Sequence, residues 1–230
     1  MGSPKARLDW HGSTLLRRVT GIAIRAVAPG PVVVVSAAEQ QLPDLPPGMQ
    51  VVADERPDRG PLQGLAAGLG AIGDEAGVAY VSSVDVPLLH PAFVRAVLDS
   101  LAADVDVAVP EVDGRLHPLA AAYRVDVLPI IEALLAEDRL ALTGLLDRCR
   151  VRRMDGAELP ALQSLTNLNS PADYERARSG PPPAVRVNGA PARAWTLGEV
   201  VSGRATVMLN GAVLDADPEL TLVDGDVVTF

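Results

Sequence analysis

The chain has 230 residues and carries 20 basic against 29 acidic side chains, a formal net charge of -9. At roughly 100–200 residues per domain, that is one large domain or a medium domain with a small one. Hydrophobic residues at 48% and charged residues at 21% exclude wholesale disorder, and an acidic chain without a Lys/Arg cluster is a poor match to nucleic acid or an anionic membrane.

In chain order, Ser13 caps a predicted helix through Leu15, Leu16, Val19 and Ile22 to about Val27. Residues Pro31 to Ser36 form a continuous apolar run, the pattern of a strand buried on both faces of a parallel sheet. A short strand over Gln50 to Ala53 is followed by a Gly- and Ala-rich helix opening at Pro61. Strands are predicted at Val78 to Val84, Val105 to Val109 and Leu119 to Tyr123, with helices at Pro91 to Leu101, Val127 to Leu135, Leu140 to Leu146 and Pro171 to Arg178. This alternation predicts an α/β fold with a mainly parallel sheet covered by helices. One feature is unusual: a doubly wound sheet begins with a central strand, whereas this chain goes from a Gly-Ser-Pro segment straight into a helix.

Ser179-Gly-Pro-Pro-Pro183 marks a boundary, since three prolines favour a stiff extended linker. The expected division is 1–178, a linker at 179–183, and a small α+β unit at 184–230. In that unit Asn188-Gly189 and Asn210-Gly211 predict two hairpins, Trp195 to Val201 a short helix capped by Thr196, and Val227 to Phe230 a last strand. So short a segment has a thin core and is expected to pack on the first domain. No apolar run approaches the ~20 residues of a membrane span, and the N-terminus lacks the basic and apolar regions of a signal peptide. A single cysteine, Cys149, rules out an internal disulfide and points to a reducing cytoplasm.

Five short motifs can carry chemistry. Met1-Gly2-Ser3-Pro4-Lys5 precedes a helix; glycine lets backbone N–H groups approach a phosphate and lysine adds a point charge. By spacing alone a frayed terminus serves as well, but Lys5 is the one lysine beside 19 arginines, in a composition typical of a GC-rich coding sequence. Asp85, in Val81-Ser-Ser-Val-Asp-Val-Pro87, follows a buried strand where open α/β sheets bind ligands, and a carboxylate there can share Mg²⁺ with substrate phosphates; a turn-capping Asp before proline fits equally. Asp54 ends a strand ahead of Gly60-Pro61-Leu62-Gln63-Gly64, a helix start able to meet an anion or a base edge, or simply a turn with Pro at the first helical position. Asn167 and Asn169 alternate in an extended Asn-Leu-Asn-Ser-Pro segment, so their amides share a face, or else one of Asn169 and Ser170 caps the next helix. A lone His117 before Pro118 is more often structural. Three scattered histidines and one cysteine make no zinc site, and Ser13, Ser82 and Ser83 lack a paired base.

In this order and spacing the motifs resemble the molybdenum cofactor guanylyltransferase family of nucleotidyltransferases. Met1-Gly2-Ser3-Pro4-Lys5 matches the end of its R-M-G-x-x-K, Gly60-Pro61-Leu62-x-Gly64 its G-P-L-x-G, and Asp54 the aspartate before it. Asp85-Val86-Pro87 matches its D-x-P, His117-Pro118-Leu119 with Tyr123 its Q/H-P-L…Y, and Asn167-Leu-Asn-Ser-Pro171 its N-[IV]-N-[TS]-P. The resemblance spans about Met1 to Arg178 and implies a Rossmann-like domain that transfers GMP from GTP to the phosphate of molybdopterin, with Mg²⁺ and release of pyrophosphate. It further implies Gly2, Lys5, Asp54, Gly60, Pro61, Leu62, Gly64 and Asp85 at the nucleotide, Lys5 and Asp85 in catalysis, Asp85 on the metal, and Asn167, Asn169 and His117 toward the pterin. A cytidylyltransferase on the same cofactor and a non-catalytic docking protein are the rival expectations.

Two departures stand out. The family's first strand and its L-A-G-G-x-S-x-R loop precede the point where this chain starts, and Ser36-Ala37-Ala38 stands where an Asn is common. The expectation is a sheet with a gap, weak activity as written, and a mis-assigned start codon as the simplest cause. The C-terminal stretches Val185-Arg-Val-Asn-Gly189, Thr196-Leu-Gly-Glu-Val200, Val207-Met-Leu-Asn-Gly211 and Leu222-Val-Asp-Gly-Asp-Val-Val228 resemble the β-grasp sulfur carriers of thiamine and molybdopterin synthesis. Those carriers end in Gly-Gly and this sequence reads Val-Thr-Phe, so a docking role to proteins of the same pathway is the alternative to a carrier role.

Overall fold

The computed structural model describes residues 5–54, 56 and 59–230. Gly2 therefore lies outside the described residues. After a 3-10 turn at Lys5–Arg7, β1 (Asp9–Trp10) and β2 (Ser13–Thr14) form a tight hairpin whose turn residues, His11 and Gly12, both have positive φ. Helix α1 (Leu15–Val27) starts at Thr14, whose side chain accepts the Arg17 N–H at 3.2 Å. The cap is thus Thr14 and not Ser13, because Ser13 is held extended opposite Trp10 in the hairpin.

Strands β3 (Val33–Ala37) and β4 (Gln50–Asp54) pair in parallel, and α2 (Gly60–Ile72) follows them. A Cβ at Gly68 would lie 3.3 Å from Val35 Cγ2, so a missing side chain lets α2 sit close on β3. Only Val34 of β3 is buried. The apolar run is therefore not enclosed on both faces, since among the described residues this sheet has two strands.

Next come β5 (Val78–Ser82), α3 (Pro91–Asp99), β6 (Val107–Val112), β7 (Arg115–Leu116), β8 (Ala120–Arg124), α4 (Leu128–Ala136), α5 (Leu142–Leu146) and β9 (Val151–Asp155). Their sheet runs β5-β8-β6-β7, with β9 also paired to β6. It is mixed, not mainly parallel as expected. The chain turns back tightly after β6 through β7, and β8 then inserts antiparallel between β5 and β6. Strands β5, β6 and β9 still point the same way, which places their C-terminal ends together. No strand pairing among the described residues joins this sheet to β3 and β4; Val34 and Val84 meet instead in a small cluster with Ala6 and Leu16.

The period-2 alternation of the strands divides the core. Val107, Val109, Ala121 and Tyr123 face α2, α4 and α5, where Leu62, Ile131 and Leu134 are fully buried. Ala108, Ala120 and Ala122 face the other way, toward Val19 and Ile22 of α1 and Phe93 and Val94 of α3. At the end of this sheet Arg150 grips Asp106 with two guanidinium nitrogens, at 2.6 and 3.0 Å, and with its backbone N–H at 2.8 Å. These bonds hold the Asp106 carboxyl down to about 2 from an ordinary 3.8. A folded-state value below the unfolded one means stability that is complete above about pH 4 and lost as the pH falls toward 2. Asp106→Asn should therefore lower the melting temperature at pH 7, and the gap to the parent should close between about pH 4 and pH 2 in a series of thermal melts.

Helix α6 (Pro171–Arg178) is capped by Ser170 and Asp173 in a reciprocal capping box. Residues 184–230 then build their own sheet from β10 (Ala184–Val187), β11 (Ala190–Arg193), β12 (Thr206–Leu209), β13 (Ala212–Asp215) and β14 (Val227–Thr229). The order is β11-β10-β14-β12-β13, with β10 and β14 parallel and the other neighbours antiparallel. Both Asn-Gly pairs turn hairpins with positive φ at each residue. The expected helix at Trp195 to Val201 is only a 3-10 turn, Leu197–Glu199. Its first two N–H groups, of Leu197 and Gly198, donate to the Leu220 and Pro218 carbonyls.

This sheet is fastened to α1. Arg17 pairs with Asp217 at 2.7 Å and Glu219 at 3.1 Å, Arg25 pairs with Asp226, and Val223 is buried with Val19 and Ile22.

Candidate active site

The loop after β5 carries Asp85, which is 9% exposed. Its backbone carbonyl accepts the Leu168 N–H at 2.9 Å, fixing the loop against the segment that follows β9. Its carboxylate has three donors. The Lys5 ammonium approaches Oδ2 at 2.7 Å, the Ser83 hydroxyl approaches Oδ1 at 2.6 Å, and the Asn167 amide reaches Oδ1 at 3.4 Å. Lys5, Asp85 and Asn167, which are 80 and 82 residues apart along the chain, thus meet at one point.

The alternation read from Asn167-Leu168-Asn169 holds: Leu168 is fully buried while both asparagines are exposed. The capping role in this segment belongs to Ser170, so neither asparagine side chain is spent on the helix cap. His117 lies just before β8, and Ala120 of β8 pairs with Ser82 of β5, so His117 is at the same end of the sheet as Asp85. Burial and the nearby Arg115 charge lower its imidazole below the usual value, favouring the neutral ring. Tyr123 is a core residue whose hydroxyl donates to the Pro118 carbonyl at 2.7 Å.

The second group of expected residues is not joined to this cluster by any hydrogen bond or ion pair among the described residues. Asp54 ends β4 and accepts the Arg56 N–H at 3.0 Å within its own turn. Gly60 opens α2 at φ +69°, where a side chain would be strained. Pro61 sits in the first turn of that helix. Leu62 is wholly buried in the core. A Cβ at Gly64 would lie 3.9 Å from Val35 Cγ1, an ordinary van der Waals distance.

Two residues at the site escaped sequence reasoning. Ser83 was set aside for want of a base, yet its hydroxyl orients Asp85. Arg18 donates from Nε to the Pro87 carbonyl, two residues beyond Asp85, and nothing in its local sequence marks it out among 19 arginines. A cleft of about 660 Å³ lined by Pro29, Pro31, Val32 and Met49 lies at the N-terminal ends of β3 and β4, away from these groups.

Residues 1–152 match the model of the MobA-like NTP transferase domain. The chain belongs to that family. It is a nucleotidyltransferase, and the cluster around Asp85 lies on the same side of the sheet as the strand ends that bind ligands in open α/β folds. The transferase is 36% identical over 177 residues to a Mycobacterium tuberculosis protein named "Probable molybdenum cofactor guanylyltransferase", covering 75% of this chain and 84% of the relative. It is 30% identical over 186 residues to a Bacillus cereus protein of the same name, covering 77% and 88%. Among solved structures, molybdopterin-guanine dinucleotide biosynthesis protein A from Archaeoglobus fulgidus superposes with a TM-score of 0.59 at 22% identity, over 77% of this chain and 90% of that one. That likeness establishes the α/β nucleotidyltransferase fold. The sheet of residues 184–230 lies beyond the stretch that the family model matches.

Proposed function

We propose that this nucleotidyltransferase acts in molybdenum cofactor synthesis, moving GMP from GTP to the phosphate of molybdopterin and releasing pyrophosphate. The observation that carries the reading is the meeting of Lys5, Asp85 and Asn167, whose chemistry suits a phosphate-bearing substrate. The names of the two curated relatives supply the cofactor and the base.

A divalent metal fits this donor set only in partnership with substrate. Among the described residues no three His, Cys, Asp or Glu side chains cluster. Mg²⁺ needs no such cage: it takes one or two carboxylates together with substrate phosphates and waters. Asp85 would hold it, with the amide oxygens of Asn167 and Asn169 facing its water shell. The ion would offset charge developing on the phosphate oxygens.

The chain's own part is positioning and charge. Lys5 is a third exposed and can exchange Asp85 for a phosphate oxygen, while the Ser83 and Asn167 donors stay on the carboxylate. Ser83 keeps the Asp85 carboxylate in one orientation while Lys5 moves. Asn167 and Asn169 present amides to the acceptor.

For residues 184–230 we read a β-grasp unit. The support is its strand order, with the first and last strands parallel at the centre and a hairpin on each side.

The test is pyrophosphate release by the protein expressed with whatever in-frame sequence precedes Met1, offered molybdopterin and either GTP or CTP with Mg²⁺. Release with GTP and a dinucleotide product by mass spectrometry is expected. Preference for CTP would make the enzyme a cytidylyltransferase, and release with neither would overturn the reading.

A further inference from the structure

Arg18 of α1 is 2% exposed, yet among the described residues no carboxylate bonds it and its Nη1 has no partner. Its hydrogen bond runs from Nε to the carbonyl of Pro87. Burial, with the Arg25 charge nearby and against the opposing pull of Asp226, brings its pKa down to about 9. Burying a cation with no carboxylate bonded to it is costly, and an apolar side chain of similar volume generally packs at least as well. Space-filling alone therefore does not account for this residue.

Its neighbours do. The guanidinium carbon lies 5.9 Å from the Trp10 ring and 5.7 Å from the Trp195 ring, within cation–π range of both. The indoles meet edge to face at 5.9 Å. Trp10 belongs to the β1–β2 hairpin, and Trp195 to the C-terminal segment. The far end of the Asp85 loop has a second tie to that segment: His90 Nε2 lies 3.1 Å from the Asp224 carbonyl, while Nδ1 accepts the Ala92 N–H and the His90 N–H donates to Ser164. The loop between is stiff, with Val86 buried, Pro87 fixed in φ, and the Leu89 N–H bonded to Val86 at 3.0 Å.

We propose that residues 184–230 are a working part of the transfer site, and that Trp195 and Arg18 are positioning residues that hold the Asp85 loop in place. This rests on the reading of Asp85 as a residue of that site. The Pro87 carbonyl is two residues from Asp85, and a misplacement of about 1 Å at a reacting centre can cost a hundredfold in rate.

The test uses the full chain and four variants: Arg18→Met, Arg18→Lys, Trp195→Ala and Trp195→Phe. Hydrogen exchange of the 84–90 loop and of the Leu168 amide reads the bracing without any need for turnover. Exchange there should quicken tenfold or more in Arg18→Met and Trp195→Ala, with α2 and α4 unchanged, and Trp195→Phe should restore the parent rate. Pyrophosphate release should fall about tenfold in kcat in the same two variants, with KM for the nucleotide within threefold of the parent. Arg18→Lys keeps charge but loses the planar fork, and should resemble Arg18→Met. Unchanged loop exchange in a folded Arg18→Met protein overturns the proposal whether or not the parent is active. Faster exchange with undiminished kcat overturns it too, since Arg18 would then serve packing alone. A parent that shows the exchange effects but no transfer with any nucleotide refutes the proposed reaction and, with it, the catalytic part of this inference.

Discussion

Asp85→Asn should abolish nearly all metal-dependent transfer, by roughly a hundredfold or more in kcat, while the protein stays folded. The amide keeps the shape of the carboxylate but not its charge. It can still accept from the Ser83 hydroxyl, and the Asp85 carbonyl bond to Leu168 is untouched, so the loop keeps its place. The lost partner is Lys5, which is a third exposed, and pairs at that exposure contribute about 1 kcal/mol or less. Activity and stability should therefore separate: a melting temperature within a few degrees of the parent beside a collapsed rate. Near-normal turnover across a Mg²⁺ titration would remove Asp85 from the metal site.

Asp226→Ala should act first on stability, since Asp226 bonds Arg25, Asn210 and Val223 and none of the groups around Asp85. Asp226 is 2% exposed and accepts from Arg25, from the Asn210 amide at 2.8 Å and from the Val223 N–H at 2.8 Å. Removing it leaves the part-buried Arg25 guanidinium with only the Thr221 carbonyl, and leaves the buried Val223 N–H and the Asn210 amide without their acceptor, a cost of about 3 kcal/mol. Arg25 lies on α1, whereas Asn210 and Val223 lie in the C-terminal segment, so the loss should fall on the fastening between the two. Chemical denaturation of Asp226→Ala should show a markedly lower midpoint, with an early phase in which residues 184–230 detach. A single transition at the parent midpoint would mean that the fastening depends on Arg17 and the apolar contacts of Val223.

Where local chemistry decides structure, the sequence was a good guide. The two Asn-Gly turns, the helix from Pro171 to Arg178 and the apolar face of α1 are set by residues within a few positions of one another. Distant competition was not legible. The strand Val151–Asp155 exposes Arg152 and Arg153 and shows no apolar alternation, because it sits at the edge of its sheet beside β6. The segment Trp195 to Val201 has helical spacing but forms only the 3-10 turn Leu197–Glu199, tied by its first N–H groups to the distant Leu220 and Pro218 carbonyls. The insertion of β8 between β5 and β6 is a topological choice that no local pattern states. The site followed the same division. Lys5, Asp85 and Asn167 were found through motifs and do meet; Leu62, found the same way, is core. Arg18 and Ser83 act through geometry alone.

The chain has two tryptophans, Trp10 and Trp195, and both lie where α1, the hairpin and the C-terminal segment meet. His11 stacks flat on Trp195 at 3.8 Å. Tryptophan emission, excited at wavelengths the three tyrosines do not absorb, therefore comes from one location. No label is needed to watch the seam between α1 and the C-terminal sheet: the colour and brightness of that emission under nucleotide, acid or denaturant report on it.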